Sequence, residues 1–167
     1  MNKEMFRDKG TLLKAGIKGE EDGIMFYGLL AEKAANIDAK LRLEHLRDDE
    51  KRHRSVLSNL YRKHVGGEPT DLPEKGIGPL DKVFEKGKLK KLKSEMEYIN
   101  LAIEAELAAT NFYKVGKDMV EDTEFKDILH QLSEEEHSHY ELLMAEREAL
   151  AGNYFWFSTD SSSPMED

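Results

Sequence analysis

The segments Glu50-Lys51-Arg52-His53 and Glu136-His137-Ser138-His139 are two copies of the motif Glu-x-x-His, and they lie 86 residues apart. Two further glutamates, Glu20 and Glu106, are separated by the same 86 residues. A Glu and a His three residues apart on a helix project from one face, so each pair could hold one cation. The spacing therefore predicts two equivalent sets of three metal-binding side chains.

The motif alone is weak evidence, and the repeat identifies one accidental match. A chain with 22 glutamates and six histidines contains about one such pair by chance. Glu134 lies three residues before His137, but the positions 86 residues upstream hold Asp48 and Lys51. We therefore predict that Glu134 and His137 are surface residues.

Four segments have apolar residues at alternating steps of three and four, the pattern of a bundle helix. Residues 17–64 align with residues 103–150 without a gap, and the identical positions concentrate on this inward stripe. The ten identities are Ile17/Ile103, Glu20/Glu106, Phe26/Phe112, Tyr27/Tyr113, Lys40/Lys126, Leu43/Leu129, Leu46/Leu132, Glu50/Glu136, His53/His139 and Leu57/Leu143. The pattern predicts an all-α four-helix bundle built from two duplicated helical hairpins.

Capping residues indicate where three of the helices begin or end. The second helix is expected to begin near Asn36 or Asp38 and to end at Gly66-Gly67. Ser94 opens a capping box and is expected to start the third helix, and Thr123 is expected to cap the fourth.

A long connection separates the two hairpins. Residues 66–93 contain three prolines and several glycines, which predicts an irregular crossover long enough to join parallel helices 2 and 3. Within it, residues 82–93 carry six lysines and one glutamate, as expected for a solvated short helix or a docking patch for an acidic partner. We predict one domain over residues 1–152. Residues 153–167 form a tail, in which the aromatic residues 154–157 pack on the bundle or on a partner subunit and the serine-rich end is disordered.

Composition excludes several classes of protein. The net charge of -9 disfavours general nucleic-acid binding, and no segment has the run of about twenty apolar residues that a membrane span needs. The absence of cysteine excludes disulfides and thiolate-bound metal centres within this chain. Residues 1–10 are polar and do not resemble a signal peptide. We therefore expect a cytoplasmic protein that contacts neither nucleic acid nor membrane.

Four inward carboxylates would repel one another unless cations neutralised them, and two divalent ions balance four glutamates. Carboxylate and imidazole ligands suit iron or manganese. Two Glu-x-x-His helices combined with two single-Glu helices are the arrangement of ferritin-like di-iron and di-manganese bundles. We expect Glu50 and Glu136 to bridge the ions, Glu20 and Glu106 to be terminal ligands, and His53 and His139 to bind one ion each.

These residues also resemble the ferritin-like domain of rubrerythrin, over about residues 10–150. The motifs that carry the resemblance are Gly19-Glu20 with Phe26-Tyr27, Asp49-Glu50-Lys51-Arg52-His53, Glu106 with Phe112-Tyr113, and Glu135-Glu136-His137-Ser138-His139. The resemblance implies a centre of two iron ions that reduces hydrogen peroxide or dioxygen with electrons from a redox partner. It also implies a homodimer, with or without domain swapping.

Two departures from that family change the expectations. Rubrerythrins with a complete peroxidase apparatus carry a cysteine-ligated rubredoxin domain, whereas this chain has no cysteine, so its electrons must come from another protein. Rubrerythrin also has a second glutamate three residues after the third helix's ligand, where this chain has Ala109. Gly23 lies three residues after Glu20 in the first half. These two small residues leave room for peroxide or dioxygen, or they only let the helices approach closely.

Four more residues lie near the predicted ligands. Tyr27 and Tyr113 lie seven residues after Glu20 and Glu106, and they either hydrogen-bond to ligand carboxylates or pack in the core. Asp49 and Glu135 lie four residues before the ligand histidines, and they either orient the imidazoles or face water; we favour water.

Three functions are compatible with such a site. The preferred one is a non-haem di-iron oxidoreductase that reduces peroxide or dioxygen. The second is a ferroxidase that handles or stores iron. The third is a binding or assembly protein that the metal stabilises without turnover.

Overall fold

The computed structural model describes residues 2–85, 88–89, 94–152 and 154–157, and it contains four long helices. Their bounds are α1 Lys9–Lys33, α2 Ile37–His64, α3 Glu95–Met119 and α4 Thr123–Leu150. The bounds of α3 and α4 equal those of α1 and α2 shifted by 86 residues, so the duplication seen in the ligands extends to whole helices. Short 3-10 helices cover Lys3–Phe6 and Pro79–Val83, and two antiparallel two-residue strands, β1 Phe84–Glu85 and β2 Lys88–Leu89, follow the second.

The helices begin where a side chain accepts a hydrogen bond from the first turn. Asn36 caps α2 and Ser94 caps α3, as predicted. The prediction that Thr123 caps α4 is wrong, because the Asp122 side chain accepts the hydrogen bond from the Phe125 backbone N–H at 2.8 Å. Asp122 is the last residue with extended backbone, whereas Thr123 is already helical.

The helices pack as two antiparallel hairpins, α1 with α2 and α3 with α4. Tyr27 contacts Glu106 and Tyr113 contacts Glu20, so α1 runs antiparallel to α3. Helix α2 therefore runs parallel to α3, and the connection between them must span the bundle. The predicted all-α bundle of two hairpins with a long crossover is confirmed.

The crossover begins at Gly66 and Gly67, whose φ angles of 96° and 70° favour glycine and end α2 as predicted. Further on, Leu80 and Val83 are buried against the helices. Of the short helix expected over the lysine-rich segment, the structure has, among the described residues, only Lys82 and Val83, which end the second 3-10 helix; Phe84 has extended backbone, packs against the core and starts β1. Residues 86–87 and 90–93 of that segment lie outside the described residues.

The core consists of two apolar clusters that lie on either side of a polar layer. One cluster includes Phe26, Leu43, Ile99 and Leu143, and the other includes Leu13, Leu57, Phe112 and Leu129. In every helix the buried Glu and His residues come between the members of the two clusters. The polar layer therefore crosses the middle of the bundle.

In the aromatic part of the tail, Tyr154, Trp156 and Phe157 pack on the bundle, whereas Phe155 is exposed. Trp156 is 1 % exposed, and its carbonyl oxygen accepts hydrogen bonds from the backbone N–H groups of Ala35 and Asn36. Its indole Nε1 donates to Glu146 at 3.1 Å. The serine-rich end that we expect to be disordered lies outside the described residues. Over the part of the chain described here, no helix is both long and apolar enough to cross a membrane.

Candidate metal centre

The structure brings the six predicted ligands into one buried cluster in the polar layer. No one of them is more than 6 % exposed. The six are Glu20 on α1, Glu50 and His53 on α2, Glu106 on α3, and Glu136 and His139 on α4. Glu134 and His137 are exposed, as predicted.

The cluster divides into two groups of four residues, and in each group the possible ligand atoms lie within 4.8 Å of one another. One group is Glu20, Glu50, His53 and Glu136, and the other is Glu50, Glu106, Glu136 and His139. Glu50 and Glu136 belong to both groups, which is the position expected of bridging carboxylates.

Glu136 lies between the two imidazoles. Its Oε1 is 3.2 Å from Nδ1 of His53, and its Oε2 is 3.2 Å from Nδ1 of His139. Oε1 of Glu50 lies 3.8 Å and 3.5 Å from the same two nitrogens. The imidazole rings are 5.7 Å apart and nearly parallel. Both histidines therefore present Nδ1 to the cluster.

The outer nitrogens of the imidazoles are held by carboxylates from the opposite half. Nε2 of His53 lies 2.7 Å from Glu135, and Nε2 of His139 lies 3.0 Å from Asp49. Arg52 contacts both carboxylates. The expectation that Asp49 and Glu135 face water is wrong, because α2 and α4 run antiparallel and place each carboxylate beside the other helix's histidine.

These contacts also affect the two carboxylates themselves. Burial alone would raise the pKa of Asp49 and of Glu135, but hydrogen bonds from His139 and His53, together with Arg52, lower both pKa values. Both side chains therefore remain anionic acceptors that orient the imidazoles.

Two buried tyrosines support the glutamates in the same crossed manner. The Tyr27 hydroxyl donates to Glu106, and the Tyr113 hydroxyl donates to Glu20. Burial and the nearby carboxylates raise the pKa of both phenols well above the usual value, so the phenols keep their protons and remain donors. The hydrogen-bonding alternative for these tyrosines is confirmed.

Three groups of the cluster, Glu50, Glu136 and His53, have raised pKa values. Burial, strengthened by repulsion from other carboxylates, raises the pKa of Glu136 to about 8 and raises that of Glu50 well above its usual value. Burial lowers the pKa of His53, but the hydrogen bond to Glu136 and the negative charge of Glu20 outweigh it and raise the pKa to about 12. Cations would compete with protons for the same atoms.

The residues fit a pair of metal ions. Oε2 of Glu20 and Oε1 of Glu50 are buried without a hydrogen-bond partner, which is costly unless a cation contacts them. The combination of carboxylate and imidazole donors suits iron or manganese.

A cavity of about 30 Å³ lies beside the cluster, and both Gly23 and Ala109 line it. A Cβ atom on Gly23 would lie 2.3 Å from Oε2 of Glu50, so this glycine makes room for a predicted ligand as well as for the cavity. At Gly23 the small residue therefore accommodates the Glu50 side chain of the neighbouring helix, and the use of the cavity by peroxide or dioxygen stays a prediction.

Sequence reasoning missed Asp22, which is buried, lines the same cavity and pairs with Lys18. Burial raises the pKa of Asp22, although the ion pair with Lys18 opposes that shift. The four-residue spacing of Lys18 and Asp22 on a helix was the available signal.

Comparisons with known proteins agree with this geometry. The family model described as Rubrerythrin matches residues 11–147. A hypothetical protein from Pyrococcus furiosus is 29% identical, with a TM-score of 0.78 and coverage of 90% of this chain and 94% of that one. CopM in its Cu(II)-bound form shares the fold, with a TM-score of 0.65, 12% identity and coverage of 85% of this chain and 97% of that one. No curated protein matches. The chain belongs to the rubrerythrin family.

Proposed function

We propose that this protein is a di-iron oxidoreductase that reduces hydrogen peroxide or dioxygen with electrons from a separate redox protein. The observation that carries the proposal is the pair of buried Glu/His groups that share Glu50 and Glu136. Membership of the rubrerythrin family supports iron as the metal.

Each half of the cluster would hold one ion. Glu20 and His53 would complete one site, Glu106 and His139 would complete the other, and Glu50 and Glu136 would contact both ions. Bound iron would supply electrons and Lewis acidity for cleavage of the O–O bond.

The protein's own side chains would bind and orient. Tyr27 and Tyr113 fix the terminal carboxylates, and Asp49 and Glu135 fix the imidazoles. The cavity of about 30 Å³ beside the cluster would receive a small oxidant. Reduction of one hydrogen peroxide to two waters consumes two electrons and two protons. A chain without cysteine holds no thiolate-bound iron centre to supply those electrons, so we propose an external donor protein.

Metal stoichiometry tests the site. After anaerobic loading with Fe(II), we expect about two ions per chain in the wild type and about one in Glu106→Gln, because Glu106 belongs to one group only. Glu136→Gln should lose most of both ions, because both groups use it. The matched control is Glu134→Gln, which alters an exposed glutamate two residues away and should keep both ions. Full loading of a correctly folded Glu136→Gln protein would contradict the assignment.

Oxidation kinetics test the reaction. The loaded protein should be oxidised by stoichiometric hydrogen peroxide or by dioxygen, and an added reductant should sustain turnover. A single oxidation without turnover would contradict the enzyme proposal and favour a metal-stabilised binding protein. We also propose that the protein is a homodimer. Sedimentation analysis tests this proposal: a closed shell of many subunits would instead indicate iron storage.

A further inference from the structure

The crossover forms a roof over the cavity beside the Glu/His cluster. Ile77, Gly78 and Leu80 of the crossover line this cavity together with residues of α1 and α3. The crossover therefore lies between the cluster and the solvent on this side of the bundle. We call residues 76–80 the roof segment.

The roof segment is seated by close contacts with α1. A Cβ atom on Gly19 would lie 2.6 Å from Cδ1 of Ile77, so the isoleucine side chain occupies space that only a glycine leaves free. A Cβ atom on Gly76 would similarly lie 2.3 Å from Oδ2 of Asp22, which is 4 % exposed. Because Gly19 and Gly76 have no Cβ atom, the crossover approaches α1 closely enough for Ile77 to lie over the cavity.

The cavity wall also contains carboxylates of the Glu/His cluster. Glu20 and Glu50 both line it, they are 2 % and 5 % exposed, and each has a carboxylate oxygen without a hydrogen-bond partner. A cavity that holds one water needs about 10–15 Å³. The volume of about 30 Å³ therefore accommodates a molecule of two heavy atoms.

We propose that Ile77 is a specificity-determining residue that restricts the oxidant to hydrogen peroxide or dioxygen and excludes organic hydroperoxides. This inference rests on the proposed function, because it concerns access to the same site. An alkyl or aryl hydroperoxide needs space for its carbon substituent, and the Ile77 side chain fills the space on the roof side of the cavity.

The test compares the rate constants for oxidation of the iron-loaded protein by cumene hydroperoxide and by hydrogen peroxide. In Ile77→Ala we expect the ratio of these rate constants to rise at least about tenfold, the lower end of the discrimination that one methylene group provides in a hydrophobic pocket. Leu72→Ala is the matched control, because Leu72 is also an apolar crossover residue packed on the core but does not line the cavity. It should keep the wild-type ratio. A wild-type protein that accepts both oxidants equally would overturn the proposal.

Azide binding, followed by absorbance, gives a readout that does not depend on turnover. Ile77→Ala should bind azide faster than the wild type and Leu72→Ala, with the same iron content. If Ile77→Ala fails to fold, Ile77→Val keeps most of the packing and should show a smaller change in the same direction. Unchanged azide and hydroperoxide kinetics in a folded, fully loaded variant would overturn the proposal. Failure of the proposed function would be seen differently, as a wild type that binds azide but is oxidised by neither peroxide nor dioxygen.

Discussion

At the residue scale, every predicted ligand outside the bridging pair is held by a side chain from the other half of the duplicated chain. The four pairs are Tyr27 with Glu106, Tyr113 with Glu20, Asp49 with His139, and Glu135 with His53. Neither hairpin therefore orients its own terminal ligands. The geometry of each set of predicted ligands therefore depends on both halves of the chain.

The pairing predicts that residues outside the metal site control metal affinity. Asp49→Asn replaces the anionic acceptor of His139 with a neutral amide, and we expect metal affinity to fall about 10–100-fold. Competition with a chelator of known affinity measures the change. Glu135→Gln should produce a similar loss through His53.

Asp48→Asn is the control for this prediction. Asp48 is the exposed neighbour of Asp49, and its described contacts are with Arg47 and Lys51 on its own helix. It should bind metal like the wild type. If Asp49→Asn also retains wild-type affinity, the carboxylate does not position the imidazole.

At the scale of the elements, substitutions of two neighbouring residues test which of them caps α4. Asp122→Ala should lower the melting temperature by about 2–4 °C, because it removes the acceptor for the Phe125 N–H. Thr123→Ala should have little effect, because Thr123 is exposed and already lies in the first turn. Equal effects of the two substitutions would contradict the assignment of the cap.

The same cap has a defined pH dependence. The hydrogen bond from the Phe125 N–H lowers the pKa of Asp122 below 3.8. A lowered carboxyl pKa contributes stability above the pKa of the unfolded chain, and the contribution disappears as the pH falls through the folded pKa. The difference between the wild type and Asp122→Ala should therefore shrink in acid.

The elements show what could be predicted from the sequence and why. A helix with a period of 3.6 residues must turn one stripe inward, so the positions of Glu20, Glu50 and Glu106 within their stripes were sufficient to predict burial. The repeat also indicates the cap of α4, because the 86-residue offset that relates the helices maps Asn36, the cap of α2, onto Asp122.

Contacts between elements could not be predicted in the same way. Asp49 of α2 pairs with His139 of α4 and not with His53 of its own helix, because α4 packs against this side of α2. Ile77 lies in an irregular connection, where no helical period of apolar residues could predict that its side chain lies over the cavity. Such contacts are determined by how the hairpins pack, which the pattern within one helix does not specify.

At the scale of the whole molecule, the site lies between two apolar clusters that keep it away from water. This position strengthens each interaction between charges, and it makes the metal-free cluster costly unless protons occupy it. The two hairpins meet at this layer, so a metal pair there would join them. Metal binding should therefore be coupled to the stability of the whole bundle and not to one helix.

The coupling predicts a pH dependence that differs between the metal-free and loaded proteins. The pKa of Glu136 is raised from 4.5 to about 8, so this group stabilises the metal-free fold below the unfolded pKa and loses that contribution as the pH rises through about 8. His53 acts in the same direction, because its pKa is raised from 6.5 to about 12. The melting temperature of the metal-free protein should therefore fall between about pH 5 and pH 8.

Bound cations replace these protons, so the loaded protein should lose less stability over the same range. The gap between the two melting temperatures should widen as the pH rises, and scanning calorimetry at matched ionic strength measures it. Glu134→Gln, which leaves the buried cluster intact, should reproduce the wild-type gap at each pH. A gap that stays constant or narrows with pH would mean that protons and metal do not compete for the Glu/His cluster, and the six residues would then have to be rejected as the metal site.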